Sequence, residues 1–236
     1  MTPTPALELA RLSELVYGSW PDIETRLRAT GFQLIAKFDR NDTEGMLVSN
    51  RKWAGLVFRG TEATNFHVRD IFSNVGALVR WAGKGRVHSG YERHLNMVRH
   101  SARELVEDVA DDLPVFVTGH SLGGAVVTQF ASWWYGDRVL AERGYKLAGL
   151  VTFGAPKSVN REAANAIGCP IKRFVMRGDW APRHPLSFSL VHPVKATLLK
   201  PVKWWPPTPL SRHGVSRYVA ALERAVRLGG DRAWRT

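Results

Sequence analysis

Val115-Phe116-Val117-Thr118-Gly119-His120-Ser121-Leu122-Gly123-Gly124-Ala125 is the stretch on which the reading of this chain turns. Its opening is a short continuous apolar run, as a buried central strand requires, and Pro114 marks where the element begins. The Gly-x-Ser-x-Gly that follows takes the chain sharply from strand to helix and lifts the serine above the sheet; side chains two residues either side would obstruct that turn. Ala125 to Tyr135 reads as the helix after it. A serine hydroxyl is a poor nucleophile at neutral pH, so it needs a base to take its proton and donors to hold the oxyanion that develops. Leu122, next after the serine at a helix N-terminus, would give one backbone N–H to that oxyanion. The competing reading is a plain glycine-rich turn, and the strand before and helix after argue against it.

Working outward, Tyr91, Leu95, Val98, Ala102, Leu105 and Val109 recur at steps of four and three, the stripe of a long helix packed on a sheet. Downstream, Leu147–Phe153 and Ile171–Met176 read as buried strands with a polar helix at Ser158–Ile167 between them. Strand and helix alternating in this way predict an α/β protein with a mostly parallel sheet and helices on both faces. Ahead of these, Thr4-Pro5 opens a helix over about residues 5–17. Pro21 to Ala29, with Gly31 beyond, suggests a second short helix, and Phe32–Phe38, Gly45–Val48 and Trp53–Phe58 read as strands. Residues 181–212 hold seven of the thirteen prolines and Trp204-Trp205, predicting a long, ordered, irregular loop before a last helix. With no repeat or linker, the 236 residues are expected to form one domain over 1–236.

Hydrophobic residues at 44% and charged residues at 23% are ordinary for a globular protein and give no argument for disorder or a membrane span. The single cysteine, Cys169, excludes an intramolecular disulfide and suits a reducing compartment. Between Met1 and Trp20, Glu8, Arg11 and Glu14 interrupt the apolar residues, so no signal peptide is read there and location stays open. The formal charge is +12, and residues 195–236 carry nine Lys/Arg against Glu223 and Asp231. Such a segment can draw a protein to anionic lipid or nucleic acid, or simply solvate a helix face; no nucleic-acid partner is expected. Arginine exceeds lysine 24 to 9, a compositional hint of a GC-rich, bacterial source.

A serine elbow of this kind takes its acid and then its histidine from later in the chain. The carboxylates between Ser121 and the last histidine are Asp137, Glu142, Glu162 and Asp179. The first three fall on or beside predicted helices, whereas Asp179 follows the strand Ile171–Met176, at the sheet edge where ligand-facing groups gather. A turn aspartate in Arg177-Gly178-Asp179 is the plainer alternative. Of His184, His192 and His213, His213 stands before the final helix, where a loop could hang it over the sheet edge. His184 is too close to Asp179 along the chain to reach the serine, and His192 is the fallback. His120, inside the elbow, is expected to pack there and orient the turn.

With these residues in place the chain resembles the class 3, fungal lipase-like, family of α/β-hydrolases over nearly its whole length. Val57-Phe58-Arg59-Gly60-Thr61 is similar to the family's oxyanion segment, and Val87-His88-Ser89-Gly90-Tyr91 to the opening of its long helix. Thr118 to Ala125 resembles its elbow, and Thr152-Phe153-Gly154-Ala155-Pro156 and Arg173 to Asp179 its next strand and its acid. The resemblance implies a triad of Ser121, Asp179 and His213, with Thr61 as second oxyanion donor beside Leu122. It departs at Ser211-Arg212-His213-Gly214, where many members place an acidic residue before the histidine, and in 181–212, which holds no family motif. It also implies a lid between Thr61 and Gly90, at 63–87, where Phe66, Ile71, Phe72, Val75, Leu78, Val79 and Trp81 interleave with Arg69, Arg80, Lys84 and Arg86. That stretch could lie on a lipid surface, or be an ordinary surface helix. The implied activity is hydrolysis of lipid esters through an acyl-enzyme, without metal or organic cofactor. A short-chain carboxylesterase, a phospholipase and a non-catalytic lipid- or polyanion-binding module are the alternatives.

Overall fold

Short connections fix the first half of the sheet. A computed structural model of the chain describes residues 5–40, 43–60, 78–80, 84–202 and 212–228. β1 (Gln33–Arg40), β2 (Thr43–Ser49) and β3 (Ala54–Phe58) pair antiparallel. Two and four residues separate them, too few for the crossover that parallel pairing needs. The second connection is closed by Asn50, whose Oδ1 accepts the N–H groups of Lys52 and Trp53 at 2.8 and 2.9 Å. β4 (Leu78–Arg80) and β5 (Arg86–His88) form a separate antiparallel ribbon, so two stretches in the second half of the candidate lid are paired as strands. The rest of that lid, 63–77 and 81–83, lies outside the described residues, as does Thr61.

β6 (Val115–His120), β7 (Gly149–Phe153), β8 (Ile171–Met176) and β9 (Ala196–Leu199) then add in parallel beyond β3, giving the order β1-β2-β3-β6-β7-β8-β9. Every residue of β3 and β7 is buried, as a parallel sheet covered on both faces demands. α1 (Pro5–Leu15), α2 (Trp20–Thr30) and, at the chain's far end, a helix over Val215–Arg227 pack Leu9, Leu12, Ile23, Leu27, Tyr218 and Leu222 on one face. The other face takes α3 (Ser89–Ala110), α4 (Leu122–Gly136), α5 (Arg138–Arg143) and α6 (Arg161–Asn165). The Val215–Arg227 helix is α7.

α3 buries the expected Tyr91, Leu95, Val98 and Ala102, but in its last turns Val106 is the buried residue and the expected Leu105 and Val109 lie partly buried at the margin. α4 begins at Leu122 rather than Ala125, so Gly123 and Gly124 are already helical, whereas Gly119 still belongs to β6. The predicted helix Ser158–Ile167 is shorter, because Val159 bridges to Val87 and Val191 and Asn160 caps α6. The irregular loop read over 181–212 contains a 3-10 turn at Ala181–Arg183 and then β9, with Arg173 opposite Ala196 and Met176 opposite Leu199. β9 is a short edge strand with Thr197 and Leu198 exposed, so its sequence shows neither the alternation nor the apolar run by which strands are read.

Candidate active site

β6 delivers Ser121 to the carboxyl edge of the sheet with φ 56° and ψ −124°, a conformation that costs a non-glycine residue about 1–3 kcal/mol and persists only where the surroundings enforce it. The enforcement is visible. Ser121 N–H donates to the Phe153 carbonyl at 3.0 Å, and its own carbonyl accepts Ala125 N–H at 3.1 Å. A Cβ on Gly119 would overlap the carbonyl carbon of Gly123, and one on Gly123 would overlap the Phe58 carbonyl. The tight elbow therefore excludes side chains at both positions. Thr118 holds β6 from below: its hydroxyl donates to Val151 O at 2.8 Å and lies 3.3 Å from Ser13 Oγ on α1.

Asp179 follows β8 and His213 stands immediately before α7, and the fold brings both to the serine. His213 Nε2 lies 2.7 Å from Ser121 Oγ, and His213 Nδ1 lies 3.0 and 2.9 Å from the two Asp179 oxygens. A carboxylate only accepts, so Nδ1 carries the hydrogen and Nε2 is left to accept from the serine. The three residues are 3%, 4% and 5% exposed in the order Ser121, Asp179, His213, so the array is held in a dry setting where hydrogen bonds to charge are strong. Burial by itself would raise the Asp179 carboxyl. The hydrogen bond and charge of His213, the Tyr218 hydroxyl and Ala181 N–H at 2.9 Å outweigh it, and hold the group below its ordinary value.

Leu122 sits at the first position of α4, where its N–H has no partner within the helix. Thr61, the other expected donor, lies outside the described residues, three beyond the end of β3. Asp137 and Glu162 are occupied elsewhere. Asp137 Oδ1 caps α5 through Val139 and Leu140 N–H, and Glu162 is exposed in the first turn of α6. Glu142 faces solvent with Arg138. His184 packs its ring against Trp180 at 5.1 Å, and His192 Nε2 lies 2.7 Å from Pro182 O; neither is bonded to the serine.

Two tyrosines complete the site and were not read from the sequence. Tyr218, on α7 and buried, donates to Asp179 Oδ2 at 2.5 Å and accepts Met176 N–H at 3.0 Å. Tyr17, just past α1, lies 3.0 Å from His120 Nδ1, and His120 Nε2 lies 2.7 Å from the carbonyl of His213. A carbonyl only accepts, so Nε2 donates to it and Tyr17 donates to Nδ1. Burial, helped by the neighbouring His213, pushes the His120 pKa down to about 3, which keeps this relay neutral. The Tyr17 hydroxyl lies against Gly60, where a Cβ would overlap it, and Arg59 stacks its guanidinium over the Tyr17 ring at 5.5 Å while pairing with Glu44 at 2.5 Å. One buried imidazole thus ties the elbow, the segment before Thr61 and the backbone of His213 together. The expectation that His120 packs in the elbow is met, with the orienting contact now a specific hydrogen bond.

A mixed sheet covered on both faces, with a serine at the elbow and an acid and a histidine brought in from the following connections, defines an α/β-hydrolase fold. The chain belongs to the class 3 lipase family: the family described as Lipase (class 3) matches residues 55–189, a span that includes Ser121 and Asp179 and ends before His213. A lipase of Rhizopus niveus is 30% identical over 162 residues, covering 65% of this chain but only 41% of that lipase's length. Among solved structures, a nonglycosylated Yarrowia lipolytica lipase superposes with a TM-score of 0.67 at 22% identity, over 87% of this chain and 81% of that one. A triacylglycerol lipase described as having a serine protease triad as its catalytic centre superposes with a TM-score of 0.63 at 22% identity, over 84% and 79%.

Proposed function

We propose that the protein is a serine ester hydrolase, a single α/β-hydrolase domain acting as a lipase on acylglycerols or related lipid esters. The observation that carries this reading is the hydrogen-bonded line from Ser121 Oγ through His213 to Asp179. His213 Nε2 takes the Ser121 proton as Oγ bonds to the ester carbonyl carbon; Asp179 holds the imidazolium that forms. The oxyanion is held by Leu122 N–H and by Thr61, and collapse of the tetrahedral intermediate expels the alcohol, which leaves with the proton from His213. Water, deprotonated by the same histidine, then releases the acid and restores Ser121. The names of the relatives support a lipid substrate, as does the basic, amphipathic segment 63–87, which we assign as a lid able to rest on an anionic lipid surface. The bacterial source rests on arginine content alone; the relatives named above are fungal.

The test is hydrolysis of p-nitrophenyl esters of increasing acyl length by wild type and Ser121→Ala, with a fluorophosphonate probe on both. Labelling at Ser121 and loss of turnover by roughly a thousand-fold or more in the alanine variant are expected. An unchanged rate in Ser121→Ala removes the claim. A rate that peaks on short esters without rising on emulsions makes the protein a carboxylesterase instead, and removes the lid's interfacial role.

A further inference from the structure

The connection from β8 to β9 turns two large apolar side chains into solvent at the edge where Ser121 stands. Leu186 is 79% and Phe188 105% exposed, the two highest values among the large hydrophobic residues described. Their exposure is built in, because the loop beneath them is tied down. His184 O accepts Lys157 N–H at 2.8 Å, Ser187 O accepts Lys157 Nζ at 3.1 Å, Ser187 N–H donates to Pro185 O at 2.8 Å, and Val191 N–H donates to Val159 O at 2.8 Å. Pro185 and Leu190, on either side of the tip, are buried. The tip is also close to the chemistry. The Trp180 ring stands 6.3 Å from that of His213 and 5.1 Å from that of His184, two residues before Leu186.

Charge at this edge is one-sided. Residues 151–202 carry eight Lys/Arg against two acids, Glu162 and Asp179; Lys172, Arg173 and Lys195 stand at the amino ends of β8 and β9, and of the two acids Asp179 is buried at the site. Lys157 is bonded to the tip itself, Arg183 is exposed three residues before Leu186, and Arg177 is exposed at the end of β8, with Arg212 Nη1 donating to its carbonyl at 3.3 Å. Apolar wedges ringed by cations suit a surface that is oily below and anionic above, since apolar burial and attraction to anionic headgroups add. They suit a protein partner poorly. A stable protein interface needs on the order of 800 Å² per side, several times what two side chains offer, whereas single wedges enter a lipid surface additively.

We infer that Leu186 and Phe188 form an anchor that inserts into an anionic lipid–water interface and sets the Ser121 edge of the sheet against it. This is a contact separate from segment 63–87, and it rests on the lipid-ester reading above for its purpose. The test is co-sedimentation with vesicles of phosphatidylcholine and phosphatidylglycerol in equal parts, comparing wild type with Leu186→Ser/Phe188→Ser. Partition of the double variant is expected to fall about ten-fold or more, with an unchanged thermal midpoint, because neither side chain is packed in the fold. In a second variant, Phe188→Cys carries an environment-sensitive dye, and Cys169, being buried, stays unlabelled; its emission should shift to the blue on these vesicles. Equal partition of double variant and wild type overturns the anchor, as does a dye that reports water on vesicles that bind the protein. A change in sedimentation of the free protein without loss of vesicle binding overturns it in favour of contact between copies. Fluorophosphonate labelling is read separately: intact vesicle binding without labelling of Ser121 would sink the hydrolase reading and leave the anchor standing.

Discussion

The two ring nitrogens of His213 carry the reacting line to Ser121 and Asp179, while the bond from His120 Nε2 to the His213 carbonyl fixes the backbone from which the ring hangs. Replacing Tyr17 by phenylalanine keeps the ring under Arg59 but leaves His120 Nδ1 buried and unpaired. The expected result is a fall in kcat of about ten-fold with KM nearly unchanged, together with a stability loss of about 1 kcal/mol. Steady-state kinetics on a soluble ester beside urea unfolding check it; a raised KM with unaltered kcat would show that the hydroxyl merely fills space. On the other side, Tyr218→Phe removes a donor from Asp179 and orphans Met176 N–H. The acid limb of the kcat/KM profile should then move up in pH, because Asp179 loses one of the groups holding its carboxyl down. The sequence disclosed Ser121 because an elbow imposes a local pattern, and disclosed Asp179 and His213 by order along the chain. It hid Tyr17 and Tyr218, since their partners lie 103 and 39 residues away and nothing local marks a hydroxyl that will be buried.

Elements were legible wherever their burial repeats. The stripe on α3, the continuous apolar run of β6 and the segment Ile171–Met176 predicted those elements to within a few residues, whereas β9 escaped because an exposed edge strand has no apolar face to display. The first three strands were read correctly as strands, but direction is set by connection length, which only the short turns reveal. A different kind of information, invisible in any periodicity, joins the elements to one another. Asn160 Oδ1 accepts Ala163 N–H at 2.9 Å, capping α6, and also Arg86 N–H at 3.0 Å, holding the start of β5. Asn160→Ala is therefore expected to cost about 1–2 kcal/mol, at the upper end of what a lost cap costs. It should also speed hydrogen exchange at Arg86 and Val87 before the global transition. Urea unfolding and exchange measured on the same variant separate the two effects: a stability loss with no local change at β5 would mean that only the cap matters.

For the molecule as a whole, two histidines, His120 at the end of β6 and His192 in the connection from β8 to β9, shape the response to acid. Burial, with His213 beside it, pushes His120 down to about 3, and burial, with Arg173 beside it, pushes His192 down to about 4. In the unfolded chain both take a proton near pH 6.5, about their free value. Between those limits the unfolded state binds more protons than the folded one, so stability rises with pH through this window. The stabilisation is complete above about pH 6.5 and is lost as pH falls toward 4, at up to about 1.4 kcal/mol per pH unit for each histidine. Asp179, whose folded carboxyl is depressed, works in a lower window, since its contribution is present above about 3.9 and is lost only below that. Glu8 and Glu14, half buried and raised chiefly by burial, take up protons first in the folded state and offset part of the slope near its acid end. Urea midpoints should therefore stay level from about pH 7.5 to 6.5 and fall from there to about 4.5, and His192→Gln should flatten the fall by about half while leaving stability near neutrality little changed. A stability profile that stays level across that range would mean that both imidazoles reach water, and with it that the neutral His120 relay behind His213 is not closed.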